Sequence, residues 1–108
     1  MKKDNELIAE FLGYTRPHPK YPGTTYWYKD GEEPLTILRF DSDWNWLMEV
    51  VEKIEGLNYS LEINKQEELN YQCLITQKNN IIIQKFNPIK IEAVYQAVVE
   101  FINQFKHN

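Results

Sequence analysis

The chain has 108 residues, 43% hydrophobic and 14% aromatic, a composition that suits one globular domain and excludes a disordered chain. Twelve Lys and Arg against sixteen Asp and Glu give a formal charge of −4, which argues against sequence-blind binding along a phosphate backbone. The single cysteine, Cys73, excludes an intrachain disulfide and a cysteine-based zinc cluster and points to the reducing cytoplasm.

The N-terminal Met1-Lys2-Lys3-Asp4-Asn5-Glu6 leads into a short amphipathic stretch only, and no apolar run approaches the roughly 18 residues of a membrane span. No membrane association is expected. Asp4 is placed to cap a helix over residues 4–12, whose Leu7, Ile8, Phe11 and Leu12 share one face, and Gly13 stands where it would stop. Over residues 14–40, Pro17, Pro19, Pro22, Gly23, Gly31 and Pro34 deny a long helix. That segment reads as an arm, with short strand candidates at 24–28 and 35–40 joined near Asp30-Gly31 as a hairpin.

Asp41, Ser42 and Asp43 offer successive N-caps for a helix over 43–55, where Trp44, Leu47, Met48, Val51 and Ile54 follow helical spacing and Gly56 closes the run. Glu49 and Lys53, four apart in the favourable order, mark its wet face. From Tyr59 the period changes to two: Tyr59, Leu61 and Ile63 alternate with Ser60, Glu62 and Asn64, as in a strand over 58–64 with one wet face. A second strand is expected over 69–77. Lys78-Asn79-Asn80 tolerates positive φ and predicts a tight hairpin into a third strand over 81–86. Because Ile81-Ile82-Ile83 is a continuous β-branched run, that strand is expected to be covered on both faces at the centre of the sheet.

Asn87-Pro88 fits a cap followed by a first-turn proline, and the stripe Ile91, Val94, Tyr95, Val98, Phe101, Ile102, Phe105 makes the longest helix, 88–106. No repeat, low-complexity tract or linker divides the chain, so residues 1–108 read as one domain. The class is α+β, with a small, mostly antiparallel sheet of about three to five strands packed with three helices.

Trp44, Trp46, Leu47, Met48, Val50, Val51, Glu52, Lys53, Ile54 and Glu55 in the second helix, together with Ile91 to Tyr95 and Ala97 to Ile102 in the last, resemble the phage ABA sandwich domain family. These are small proteins of bacteriophages and prophages, mainly of Bacteroidetes hosts. Leu7-Ile8-Ala9-Glu10-Phe11 is similar too, while the arm and strands match thinly. The chain departs from the family's pattern at Glu49, where proline is usual, and at Asn45, where aspartate is usual. The resemblance implies an α-β-α layered sandwich and a phage or prophage setting. It carries no catalytic or binding residues, because its matching positions are mostly apolar helix faces.

Motifs for catalysis are missing. The nucleophile elbow, the phosphate loop and the dinucleotide fingerprint are absent, and Ser42, Ser60, Cys73, His18 and His107 form no recognisable nucleophile and base pattern. Cys73 alternates with Tyr71 and Ile75, which reads as packing rather than a reactive thiol. Asp41-Ser42-Asp43 is explained by capping and Glu67-Glu68 by a solvated turn, so no metal or cofactor is expected. Trp44 belongs to the core stripe. Trp46, about 200° away around the helix, belongs either to a second layer of core or to a partner surface.

The informative stretch is residues 14–29. It holds Tyr14, Tyr21, Tyr26, Trp27 and Tyr28 with Arg16, His18, Lys20 and Lys29, contains no acid, and carries a formal charge of +3 in a chain of −4. Aromatic rings and cations on a proline-bent loop stack bases and pair phosphates, and they equally make protein-binding hot spots. A strand at the sheet edge whose rings cover core explains the same residues.

Three non-catalytic functions follow for a phage or prophage accessory protein in the cytoplasm of its host. One is an inhibitor that binds a host protein, for instance a component of antiviral defence. Another is a sponge that sequesters a signalling nucleotide through the 14–29 arm, which calls for a homo-oligomer to enclose the ligand. The last is a structural or assembly protein. Nucleic-acid binding is disfavoured by the net charge, and an enzyme has no residue pattern behind it.

Overall fold

The computed structural model describes residues 2–14, 38–67 and 70–106. Their elements are α1 (Lys2–Phe11), α2 (Trp44–Gly56), β1 (Ser60–Gln66), β2 (Asn70–Gln77), β3 (Asn80–Asn87) and α3 (Lys90–Lys106). The strands form one antiparallel sheet in the order β1-β2-β3, so the expected α+β class with three helices is the one observed. The strand candidate at 24–28 and most of that at 35–40 lie outside the described residues. The described end, 38–40, is loop leading into a turn closed by the Ser42 N–H donating to the Arg39 carbonyl at 3.2 Å.

Local chemistry accounts for the element ends. α1 starts at Lys2, so Asp4 sits inside the first turn, where its charge favours the helix N-terminus, instead of capping it. Its C-terminus is closed by Tyr14 N–H to the Ala9 carbonyl at 2.9 Å and Gly13 N–H to the Glu10 carbonyl at 3.0 Å. That closure demands a left-handed residue, and Gly13 takes φ +88°. α2 is capped as expected: the Asp43 carboxylate accepts the Asn45 N–H at 2.8 Å. At its other end Gly56 is still helical and Asn58 carries the left-handed conformation, at φ 72°. Lys78 and Asn79, at φ 53° and 67°, form the two-residue turn between Gln77 and Asn80. α3 begins at Lys90, later than expected. The Asn87 side chain accepts the Ile89 N–H at 2.9 Å, so Pro88 is held in a turn ahead of the helix instead of in its first turn.

α3 lies across β2 and β3, α2 meets β1 and α3, and α1 packs on α3. The sheet face beneath them carries Leu61 and Ile63 of β1, Tyr71, Cys73 and Ile75 of β2, and Ile83 of β3. These join Ile8, Leu47, Val50, Ile54, Val94, Val98 and Ile102 in one core drawn from all six elements. Each fully buried aliphatic side chain there contributes about 2 kcal/mol. Ala93 and Ala97 widen the buried face of α3 beyond the expected stripe. Phe105, at the last turn, is 43% exposed, with its ring stacked on Phe101 at 5.6 Å. No described helix lies on the opposite face of the sheet.

The expectation for the isoleucine run is corrected. β2 is the central strand and β3 an edge; Ile83 is 2% exposed, but Ile81 is 59% and Ile82 39% exposed. Ile75 opposes Ile83 while Thr76 opposes Ile81, which leaves Ile82 as the extra residue of a bulge. Three consecutive β-branched residues therefore mark one inward side chain beside a bulge, not two covered faces.

Asn5 was not singled out by sequence reasoning, although it lies three and four residues before Ile8 and Ala9 on the buried stripe of α1. It is 7% exposed. Its amide nitrogen donates to the Leu38 carbonyl and to the Asp41 carboxylate, each at 3.1 Å. Its amide oxygen accepts the Tyr95 hydroxyl at 3.0 Å. Asn5→Leu removes this amide and should cost about 2–3 kcal/mol, because buried polar groups lose their partner, whereas Tyr95→Phe keeps the ring and should cost about 1 kcal/mol. Urea unfolding of the two variants checks that order.

Candidate functional site

Of the residues singled out in the sequence, Arg16, His18, Lys20, Tyr21, Tyr26, Trp27, Tyr28 and Lys29 lie outside the described residues. Tyr14 is described and is 8% exposed; its hydroxyl donates to both carboxylate oxygens of Glu49, at 3.0 and 3.1 Å. Its ring lies 6.2 Å from that of Phe40. The described chain therefore leaves at Tyr14 and returns at Phe40 in one place on the body. Glu49 is half-buried beneath this contact, so the reading of Glu49 and Lys53 as a plain wet face is corrected. Lys53 turns to α1, where its ammonium donates to the Phe11 carbonyl and sits 4.7 Å from the centre of the Phe11 ring.

Of the two tryptophans of α2, Trp44 is corrected from the core stripe to the surface, and Trp46 takes the second-layer core position, one of its two readings. Trp44 is 37% exposed and Met48 39%. Trp46 is half-buried on the core, edge-to-face with Phe40 at 5.2 Å. The buried positions of α2 are Leu47, Val50, Val51 and Ile54, and Phe40 covers the flank that includes Trp46. A ring supplied by a preceding loop, invisible to helical periodicity, decides which tryptophan is enclosed.

Among the described residues, the cysteine and the carboxylates singled out in the sequence take structural positions. Cys73 is fully buried, and burial pushes its thiol up from 9.0 to about 12, so the thiolate is suppressed. Asp43 caps α2 and Asp41 accepts from Asn5. Glu67, at φ 40°, follows β1 in the exposed turn expected for it. Among the described residues no group of three or more His, Cys, Asp or Glu is placed to hold a metal. A shallow groove of about 290 Å³ between α1 and α3 is lined by Asp4, Lys85, Tyr95 and Glu100 among others. Its charges are of both signs and already partly paired, with Lys85 2.8 Å from Glu100.

The distinctive surface is the open face of the sheet. Its rows, read from the register, are Ser60–Thr76–Ile81, Glu62–Leu74–Gln84 and Asn64–Gln72–Phe86, ending in Gln66–Asn70. Glu62 is the one charged side chain in these rows. Gln66 donates its amide to Gln72 at 3.1 Å, so the β1 side is an amide surface. The β3 side is apolar, with Ile81 and Ile82 exposed and Phe86 46% exposed. By contrast, the helices present Lys3, Glu10, Glu52, Lys53, Glu55, Lys90 and Lys106 to water. A surface of amides, hydroxyls and apolar side chains with almost no charge has the composition of a protein interface centre. Sequence reasoning missed it because the isoleucine run was assigned to the interior.

No family model, curated protein or solved structure matches the chain. No described helix is long and apolar enough to cross a membrane.

Two outcomes are expected. Trp46→Ala should cost about 3 kcal/mol by emptying a packed aromatic site, and Trp44→Ala about 1 kcal/mol or less, as read from denaturant midpoints. Cys73 holds its proton in the folded chain and loses it in the unfolded chain above pH 9, so stability present below pH 9 declines as pH rises toward about 12. Urea midpoints at about pH 8 and about pH 10.5 should fall less in Cys73→Ala than in the wild type.

Proposed function

We propose that the protein is a non-catalytic binding protein that holds a protein of its bacterial host against the open face of the sheet and inhibits it by occupancy. The carrying observation is the contrast between the two sides of the molecule: charge on the helices, and one charge with exposed Ile81, Ile82 and Phe86 on the sheet. Desolvating such a face costs little and gains apolar burial, which is what a protein partner exploits. The phage or prophage setting and the host cytoplasm come from the family resemblance. The nucleotide-sponge reading draws its phosphate cations from Arg16, Lys20 and Lys29 of the 14–29 arm, which lie outside the described residues. Tyr14, at the start of that arm, packs on Phe40 and donates its hydroxyl to Glu49. A structural or assembly role differs in the partner, which would then be a virion protein.

Native mass spectrometry of tagged protein recovered from host cells tests this reading. A stoichiometric host protein should accompany the wild type and a Glu52→Lys control on the helical side. It should be lost from Phe86→Lys, which removes a candidate hot spot worth about 2 kcal/mol or more. Retention of the partner by Phe86→Lys, or a nucleotide-mass adduct in place of a protein, overturns the proposal.

A further inference from the structure

We infer that β3 is a self-pairing edge: two copies join antiparallel along residues 82–86, about a two-fold axis at Gln84 perpendicular to the sheet, to make a continuous six-stranded sheet. β3 ends the sheet, and no described residue pairs with its outer side. An edge strand leaves alternate backbone N–H and C=O groups without ladder partners, and natural edges are usually guarded by proline, outward charge or extreme shortness. β3 has eight residues and no proline. Its single charge, Lys85, lies on the helical side opposite Cys73, with its ammonium 2.8 Å from Glu100. The bulge at Ile82 falls near one end, and Ile83 to Asn87 pair with β2 without interruption.

Charge and side-chain pattern choose the register. An axis at Lys85 would set the two Lys85 side chains directly opposite, which is destabilising. An axis at Ile83 would spend Phe86 on Asn80. With the axis at Gln84, Lys85 meets Ile83 of the other copy on the helical side, the two Gln84 amides meet each other, and Phe86 meets Ile82 twice on the open face. Aromatic with β-branched is a favourable cross-strand pair, and these two residues are 46% and 39% exposed in the single chain. Five paired residues a side bury far less than the roughly 1,600 Å² of a standard interface, so the dimer is weak and concentration-dependent. It also brings two open faces into one strip. The inference goes beyond the proposed partner binding and does not depend on it.

Sedimentation velocity from about 1 µM to about 500 µM tests the pairing. The wild type should pass from monomer to dimer, and Asn64→Lys, on the far edge strand β1, should do the same. Ile82→Lys should raise the dimer Kd about 10-fold or more. The double variant I82K/F86E should restore association, because its opposite charges meet across the axis between copies while lying four strand residues apart within one. Far-UV circular dichroism and melting confirm that each variant is folded. A wild type that stays monomeric, a dimer indifferent to Ile82→Lys, or a double variant no better than the single one overturns the proposal. A monomer that still captures a host protein overturns the pairing alone.

Discussion

A buried amide ties the first helix, the loop before α2 and the last helix together at one point. α1 is 10 residues long, too short to persist by itself in water. Asn5 joins it at once to the loop at Leu38 and Asp41 and to Tyr95 in the middle of α3. The direction of these bonds follows from the partners, because the Leu38 carbonyl and the Asp41 carboxylate can only accept. The Tyr95 hydroxyl donates to the Asn5 oxygen, and burial first, then the charges of Asp4 and Asp41, raise its pKa further above the ordinary tyrosine value. The Asn5 nitrogen is then left to the two acceptors of the loop.

The position of α2 follows from that junction. With Leu38 and Asp41 held against α1, Phe40 is carried fully into the core and Asp43 stands at the start of α2 as its cap. Phe40 meets both Tyr14 and Trp46, and Lys53 returns from α2 to the end of α1. The three helices thus brace one another on one side of the sheet, and the polar groups they bury are matched by partners. The other side is left with amides, hydroxyls and the apolar corner of β3. On the helical side several polar groups have structural partners: Asp43 caps α2, Glu49 accepts from Tyr14, and Cys73 is buried in the core.

Much of the framework was legible in the residues themselves. Gly13, Asp43 and the pair Lys78-Asn79 mark a helix end, a helix start and a hairpin, because each depends on local backbone conformation or a neighbouring N–H. The stripe of α3 and the alternation in β1 follow from period alone. Misreadings arose where a residue's environment comes from another segment. Trp44 is left at the surface while Phe40 packs on Trp46, Asn5 finds partners 33 to 90 residues away, and Ile81 and Ile82 are displaced outward by a bulge. The candidate face was hidden by that last error, and most of the aromatic and basic arm lies outside the described residues.

The sequence by itself determined the α+β class, the order and approximate extent of the described elements, and the absence of recognisable catalytic motifs, since these depend on composition, spacing and local geometry. The tertiary structure alone decided which strand of the described sheet is central, which tryptophan packs on Phe40, and that the described helices all lie on one side of the sheet. Those outcomes depend on which distant side chains compete for the same buried space, and a one-dimensional pattern of polarity does not encode that competition.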